Sequence, residues 1–107
     1  MAADFDHLLE LGLDDLLRRL AAIAAEIANA SAELAEARGS ELEDRSDGWS
    51  NSIEETVRGR EKASQFNAVA SIQTKLEVQA RLDGLRAERD LVLILIDVKT
   101  KVGQYVA

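Results

Sequence analysis

Residue types that dominate catalytic and metal chemistry are missing or scarce in this 107-residue chain. It has no cysteine, no proline, one histidine and four aromatic residues. Without cysteine there are no disulfides, thiolate metal sites or cysteine nucleophiles. A single histidine, His7, cannot form a histidine cluster, and its place near a helix start predicts a surface or packing role. We therefore expect no cofactor, no metal site and no enzymatic activity.

Long apolar segments are also missing. The longest aliphatic run, Leu91–Ile96, has six residues, whereas a membrane span needs about 20. The N-terminal sequence MAADFDHLLELG is acidic and lacks the basic start of a signal peptide. These features predict no membrane association and a cytoplasmic location, in the host cell if the protein is encoded by a phage.

The charge of the chain is acidic and uneven. Acidic side chains outnumber basic ones by 20 to 13, and the net charge is −7. This balance disfavours nonspecific binding to nucleic acid or anionic membranes. Residues 1–52 carry a net charge of −8 and residues 53–107 carry +1. This layout favours antiparallel self-association or a protein partner with a basic surface, without direct contact to nucleic acid.

What the chain does contain indicates an all-α fold. It has 17 Ala and 15 Leu but only six Gly, and Ala, Leu, Glu and Arg are strong helix formers. A β-sandwich or barrel would need many more turn residues. One domain is expected at this length. We predict a helical hairpin with a long second helix, packed as a dimeric helical bundle.

The first helix is predicted over about residues 5–38. Its apolar residues are spaced alternately by four and three, as in a heptad seam: Leu9, Leu13, Leu16, Leu20, Ile23, Ile27, Ala30, Leu34 and Ala37. If the helix restarts after Gly12, Asp14 and Asp15 lie in its first turn and favour the helix dipole. Arg38 followed by Gly39 is a typical stop signal.

An acidic loop is predicted over residues 39–51, which contain Gly, Ser and Asn residues and the single Trp. Tryptophan is enriched at binding hot spots, and the surrounding carboxylates suit a basic partner. The predicted partner-binding residues are Glu41, Glu43, Asp44, Asp47 and Trp49. The alternative is that Trp49 folds back onto the end of the bundle and that the carboxylates form a solvated face.

The second helical region is predicted over about residues 52–102. Ser52 and Glu55 fit a capping box. An apolar face follows, although it drifts around the helix: Ile53, Val57, Phe66, Val69, Ile72, Leu76, Ala80, Leu82 and Leu85. A rod of this length is roughly 75 Å long and outruns the first helix. Either the chain breaks at Asp83–Gly84 into a three-helix bundle, or the helix stays whole and a second subunit covers its aliphatic end.

The aliphatic end is therefore the predicted self-association surface of a dimer. Its residues are Leu91, Val92, Leu93, Leu95 and Ile96. A local variant is that residues 91–98 form a β-strand, since Val and Ile favour strands, which would pair with the strand of another copy.

Two classes of binding function and one enzymatic class suit these features. The first is a phage or mobile-element inhibitor or adaptor, anti-CRISPR-like or otherwise anti-defence, that binds a basic site on a nucleic-acid-handling protein. The second is a structural oligomer, such as a virion-assembly or coiled-coil adaptor protein. The third is a Mg²⁺-dependent nucleotide hydrolase using two carboxylate pairs, Glu33 with Glu36 and Glu41 with Asp44. The short gap between these pairs argues against the third class.

Overall fold

The computed structural model describes the backbone of residues 5–106 and the side chains of residues 7–103. Four helices follow one another along the chain: α1 (Phe5–Glu10), α2 (Leu13–Ser50), α3 (Val57–Asn67) and α4 (Val69–Val106). No strand occurs within residues 5–106. The predicted all-α fold is therefore confirmed.

The first predicted helix is interrupted near its start. Residues 11 and 12 separate α1 from α2, and α2 then begins with Asp14 and Asp15 in its first turn. The backbone N–H of Leu16 donates to Gly12 O at 3.0 Å, which continues the helical pattern back to the glycine. The restart after Gly12 is thus the alternative that the structure adopts.

The acidic loop predicted over residues 39–51 is wrong, because α2 continues through it to Ser50. A glycine within a helix costs only about 1 kcal/mol relative to alanine, and a Cβ added at Gly39 would meet no non-local atom within 4 Å. Ion pairing between Glu41 and Arg45, one turn apart, supports the helix locally. The tertiary contacts of Glu41, Asp44 and Gly48 then offset the weak helix propensity of residues 39–50.

The connection between α2 and α3 covers residues 51–56 instead. Ser52 does not cap a helix with Glu55 as predicted; its Oγ accepts a hydrogen bond from the backbone N–H of Glu54 at 3.1 Å. The N-cap of α3 is Thr56, whose Oγ1 accepts from Gly59 N at 3.0 Å. A hydroxyl that accepts from the first helical turn stabilises this start.

The second helical region is divided at a residue that neither of the two alternatives considered. A turn at Ala68 separates α3 from α4, and the Ala68 N–H donates to both Ser64 O and Gln65 O at 3.2 Å. The break considered at Asp83–Gly84 does not occur, and the strand considered over residues 91–98 is helical, because both lie inside α4.

The described residues divide into two compact units. The first comprises the chain up to Asn29 together with the chain from Arg81 onward. Its core is formed by Leu8, Leu16, Ile23, Val92 and Leu95, and Leu20 and Ile27 pack against this core. Arg19 Nε donates to Glu88 Oε1 at 2.7 Å, and Arg19 Nη2 donates to Glu88 Oε2 at 2.8 Å. The first unit therefore joins α2 to α4 by both apolar and ionic contacts.

The second unit comprises Ala30–Ala80. Its buried side chains are small for the most part: Ala30, Leu34, Ala37, Ser64, Ala68 and Val78. Small residues at these positions let helices approach closely. The heptad seam predicted for the first helix correctly places Ala30, Leu34 and Ala37 among these buried residues, and it does the same for Leu16 and Ile23 in the first unit. At the start of the seam, Leu9 and Leu13 are exposed.

The apolar face predicted for the second helical region is wrong over most of its length. Of its members only Leu82 is buried, and Ile53, Val57, Phe66, Val69 and Leu76 are exposed. In the second unit α4 contacts α2 through Ser71 and Lys75. These polar side chains match Asp44 and Glu41 of α2, so the packed face of α4 is partly polar and an apolar face is left in solvent.

Candidate functional site

The five residues predicted to bind a partner lie on the last turns of α2, because the helix continues to Ser50. They do not form one surface. Glu41 and Asp44 are directed into the second unit, whereas Glu43, Asp47 and Trp49 are exposed. The helical path separates Glu43 from Glu41, since residues at i and i+2 do not share a helix face.

Glu41 is held inside the second unit by two cations. Its side chain is only 13% exposed; Oε1 lies 2.6 Å from Lys75 Nζ and Oε2 lies 3.3 Å from Arg45 Nε. Lys75 is the only charged partner of the buried Oε1 among the described residues. The Lys75 ammonium, reinforced by Arg45, holds the pKa of the Glu41 carboxyl below its usual range. Glu41 is thus a structural anion that joins α2 to α4.

Asp44 and its neighbour also bind within the chain. Ser71 Oγ donates a hydrogen bond to Asp44 Oδ2, and Asn67 Nδ2 donates to the backbone oxygen of Asp44 at 2.7 Å. One residue further on, the backbone oxygen of Arg45 accepts from Ser64 Oγ at 2.8 Å. Polar side chains of α3 and α4 therefore fix both helices against one turn of α2.

Three of the exposed carboxylates of α2, Glu36, Glu43 and Asp47, are spaced by seven and then four residues. This spacing places them on one helix face, which we call the acidic stripe. All three are exposed, and none takes part in an ion pair within the part of the chain that the structure describes. Glu36 was not among the predicted partner-binding residues, although its spacing from Glu43 would have indicated the shared face.

Trp49 combines an intramolecular contact with exposure. The Arg60 guanidinium lies 5.9 Å from the centroid of its ring, within the range of a cation–π contact. Arg60 is oriented by its own hydrogen bond, from Nε to Glu54 O at 3.1 Å. Trp49 therefore joins the end of α2 to the start of α3 while its ring stays partly accessible.

The predicted self-association residues fall on opposite sides of α4. Val92 and Leu95 are buried in the core of the first unit, Leu91 and Ile96 are half-buried, and Leu93 is exposed. The two buried residues, Val92 and Leu95, therefore already pack in one core with residues of α2 of the same chain. That the exposed members bind a second copy stays a prediction.

The sequence analysis missed an exposed aliphatic row on α4. Ile94 is 59% exposed, and Val98 and Val102 are comparably exposed. Ile94, Val98 and Val102 are spaced by four residues, and Ile94 follows half-buried Leu91 by three residues. These side chains therefore lie along one edge of the helix. We call Leu91, Ile94, Val98 and Val102 the aliphatic row. The intervals of three and four residues were the signal that could have revealed it.

A second apolar surface lies on α4 within the second unit. It is a shallow depression lined by Val69, Ile72, Gln73, Leu76, Glu77 and Ala80. Leu76 is 60% exposed. Each unit therefore presents exposed aliphatic side chains on its own part of α4.

The described residues form no cluster of the kind that binds metal ions. Within this part of the chain no three His, Asp or Glu side chains converge in a way that could hold a metal ion. The two carboxylate pairs considered for Mg²⁺ do not converge either, because Glu41 contacts Lys75 and Asp44 contacts Ser71. Among residues 5–106, no helix combines the length and apolarity needed to cross a membrane.

Comparisons with known proteins do not extend these observations. The chain gave no match to protein-family models, to curated proteins or to solved structures.

Proposed function

We propose that this chain is a non-enzymatic helical protein that self-associates and serves as a structural or adaptor component of a larger assembly. The observation that carries the proposal is the aliphatic row of α4 in the first unit, where Ile94, Val98 and Val102 are exposed and follow one another at intervals of four residues. Side chains of this kind contribute about 1.5–3 kcal/mol each when they are fully removed from water. A helix face that exposes several of them in series is typical of an interface.

The oligomeric state tests the proposal directly. Size-exclusion chromatography with light scattering should give a mass that is a multiple of the 11.7 kDa chain mass. The melting temperature should also rise with protein concentration, since association stabilises the folded state by mass action. A mass of one chain, with a melting temperature that stays constant over about a hundredfold range of concentration, would contradict the proposal.

A second candidate function is an inhibitor or adaptor, of the phage or anti-defence kind, that binds a basic site on a nucleic-acid-handling protein. The acidic stripe of Glu36, Glu43 and Asp47 favours it, because these carboxylates are exposed and lack intramolecular cations within the described chain. Glu41 and Asp44 weaken it, since their side chains are directed inward. The acidic stripe would then form the contact surface.

Two variants of equal net charge separate this function from nonspecific attraction to polycations. In the first, Glu36, Glu43 and Asp47 become Gln, Gln and Asn; in the second, Glu55, Glu61 and Glu77 become Gln. The probe is a synthetic arginine-rich helical peptide, titrated at several salt concentrations. Loss of binding only in the first variant supports a specific acidic site. Equal weakening of both variants shows attraction by net charge alone and removes this candidate.

A further inference from the structure

The aliphatic row is accompanied by charges of opposite sign at its two ends. Asp90 precedes Ile94 by four residues, and Lys101 follows Ile94 by seven. Because eleven residues are close to three helical turns, Asp90 and Lys101 lie on the same side of α4. Both side chains are about two-thirds exposed, at 65% and 66%.

These positions discriminate between the two ways in which two copies of α4 can pair. In a parallel pair each residue is level with its own copy, so Asp90 is about 16 Å along the axis from Lys101 of the other helix and the two cannot pair. In an antiparallel pair centred between Leu95 and Ile96, Asp90 and Lys101 are each five and a half positions from the centre. Asp90 of each copy is then level with Lys101 of the other, and the flanks of an antiparallel pair match residues from the same side of each helix.

We propose that a second copy of this chain docks antiparallel on the aliphatic row, with Ile94 and Val98 at the centre and Asp90–Lys101 ion pairs at both ends. This inference rests on the proposed self-association and identifies its surface and orientation. The two central side chains are continuous with the core of the first unit, because neighbouring Leu95 is buried there and Leu91 packs against it. The docked copy would extend that core.

The other charged groups along this edge are compatible with the pairing. Asp97 lies nearest the centre, and Lys101 Nζ of the same chain is 3.0 Å from its Oδ2. Arg89 contacts Asp90 within the chain, at 3.3 Å. In the antiparallel arrangement Lys101 is therefore shared between its own Asp97 and the Asp90 of the second copy, and each carboxylate retains a nearby cation.

A charge exchange tests the orientation. The proteins to compare are wild type, Asp90→Lys, Lys101→Asp and the double variant, with Glu43→Lys as a control that makes the same charge change as Asp90→Lys on α2 of the other unit. Sedimentation equilibrium gives the dimer dissociation constant, and circular dichroism establishes that each variant keeps its helix content. We expect each single exchange to raise the dissociation constant at least about tenfold and the double variant to restore it. Glu43→Lys should leave it unchanged.

A matched pair of apolar variants tests the surface. Ile94 and Val98 are 59% and 49% exposed, and Val69 and Leu76 on the same helix are 54% and 60% exposed. We expect Ile94→Ser with Val98→Ser to give a monomer, and Val69→Ser with Leu76→Ser to remain a dimer.

The outcomes of these experiments distinguish the antiparallel docking from the proposed self-association on which it rests. A wild-type dimer whose dissociation constant responds equally to Asp90→Lys and Glu43→Lys overturns the antiparallel docking while self-association stands. A dimer that is lost in the Val69 and Leu76 variant but kept in the Ile94 and Val98 variant overturns the choice of surface. A wild-type chain that is monomeric throughout overturns both.

Discussion

Gly48 of α2 lies against Ser64 of α3 so closely that a Cβ at position 48 would be 2.9 Å from Ser64 Cα. The same Cβ would be 2.7 Å from Asn67 Cβ and 2.9 Å from the backbone oxygen of Ala63. The glycine therefore allows two helices to approach, inside a segment where its presence suggests a loop. The hydrogen bonds from Ser64 and Asn67 to the backbone of α2 depend on this approach.

Gly48→Ala should destabilise the protein. Overpacking against backbone atoms costs typically 1–3 kcal/mol, and the better helix propensity of alanine offsets about 1 kcal/mol of that cost. The expected net loss in the free energy of unfolding is up to about 2 kcal/mol, measured by urea denaturation at one fixed protein concentration. Gly39→Ala is the control, since a Cβ at position 39 would have no non-local atom within 4 Å. It should stabilise α2 by about 0.5–1 kcal/mol. A Gly48→Ala protein as stable as Gly39→Ala would contradict the close approach.

Gly84→Ala should stabilise the protein by about 1 kcal/mol. Gly84 lies inside α4, its φ is not positive, and a Cβ there would meet no non-local atom within 4 Å. Alanine therefore gains helix propensity without a clash. Thermal unfolding followed by circular dichroism measures the change. A lower melting temperature than that of wild type would indicate that the helix breaks at this residue after all.

The Arg19–Glu88 pair should couple α2 to α4 energetically in the first unit. Arg19 donates to both carboxylate oxygens of Glu88, and the Glu88 side chain is largely buried. In a double-mutant cycle with Arg19→Met and Glu88→Gln, we expect a coupling energy of about 1–2 kcal/mol.

A cycle on the exposed pair of Arg18 and Asp15 is the matched control for that measurement. Its atoms are 3.5 Å apart and both side chains are mostly in solvent. Exposed pairs contribute little, and about 0.5 kcal/mol or less is expected. Equal coupling in the two cycles would show that Arg19 and Glu88 do not form the bidentate contact in solution.

The free energy of unfolding should decrease in acid as the Glu41 carboxylate becomes protonated. Its pKa is lower in the folded chain than usual because Lys75 and Arg45 favour the carboxylate. The unfolded chain therefore binds the proton more readily, so this contribution is present above the ordinary carboxyl pKa and is lost as pH falls through the lowered one. The free energies of unfolding of wild type and Glu41→Gln should converge in that range. Lys75→Met removes the largest cause of the shift and should also weaken the pH dependence. A Lys75→Met curve parallel to that of wild type would contradict this assignment.

Local composition and spacing were sufficient to predict much of the secondary structure. Abundant Ala and Leu with no proline favour helices throughout, and the heptad seam predicts the buried positions Leu16, Ile23, Ala30 and Leu34. Asp14 and Asp15 after Gly12 indicate where α2 restarts. Each of these signals depends on residues within a few turns of one another, which is the range that periodicity and helix propensity report.

The candidate surfaces could be predicted only in part. The acidity near the end of α2 and the aliphatic end of α4 are visible in the sequence, but which members are exposed depends on the partner helix. Glu41 is largely shielded from solvent because Lys75 of α4 faces it, and Val92 is buried because it packs in one core with Leu16. Glu43 lies two residues after Glu41, and Ile94 lies two residues after Val92. Each is therefore on another side of its helix and is exposed.

The sequence by itself determined that the chain is helical, acidic and free of cysteine chemistry, because these properties are sums over composition and short-range spacing. Only the tertiary structure decided that residues 39–50 are helical, that Gly48 is a contact and not a turn, and that the chain turns at residues 51–56. The ion pair of Glu41 with Lys75 joins residues 34 positions apart. Contacts at that separation outweigh about 1 kcal/mol of unfavourable helix propensity at a glycine, and no local pattern reports them.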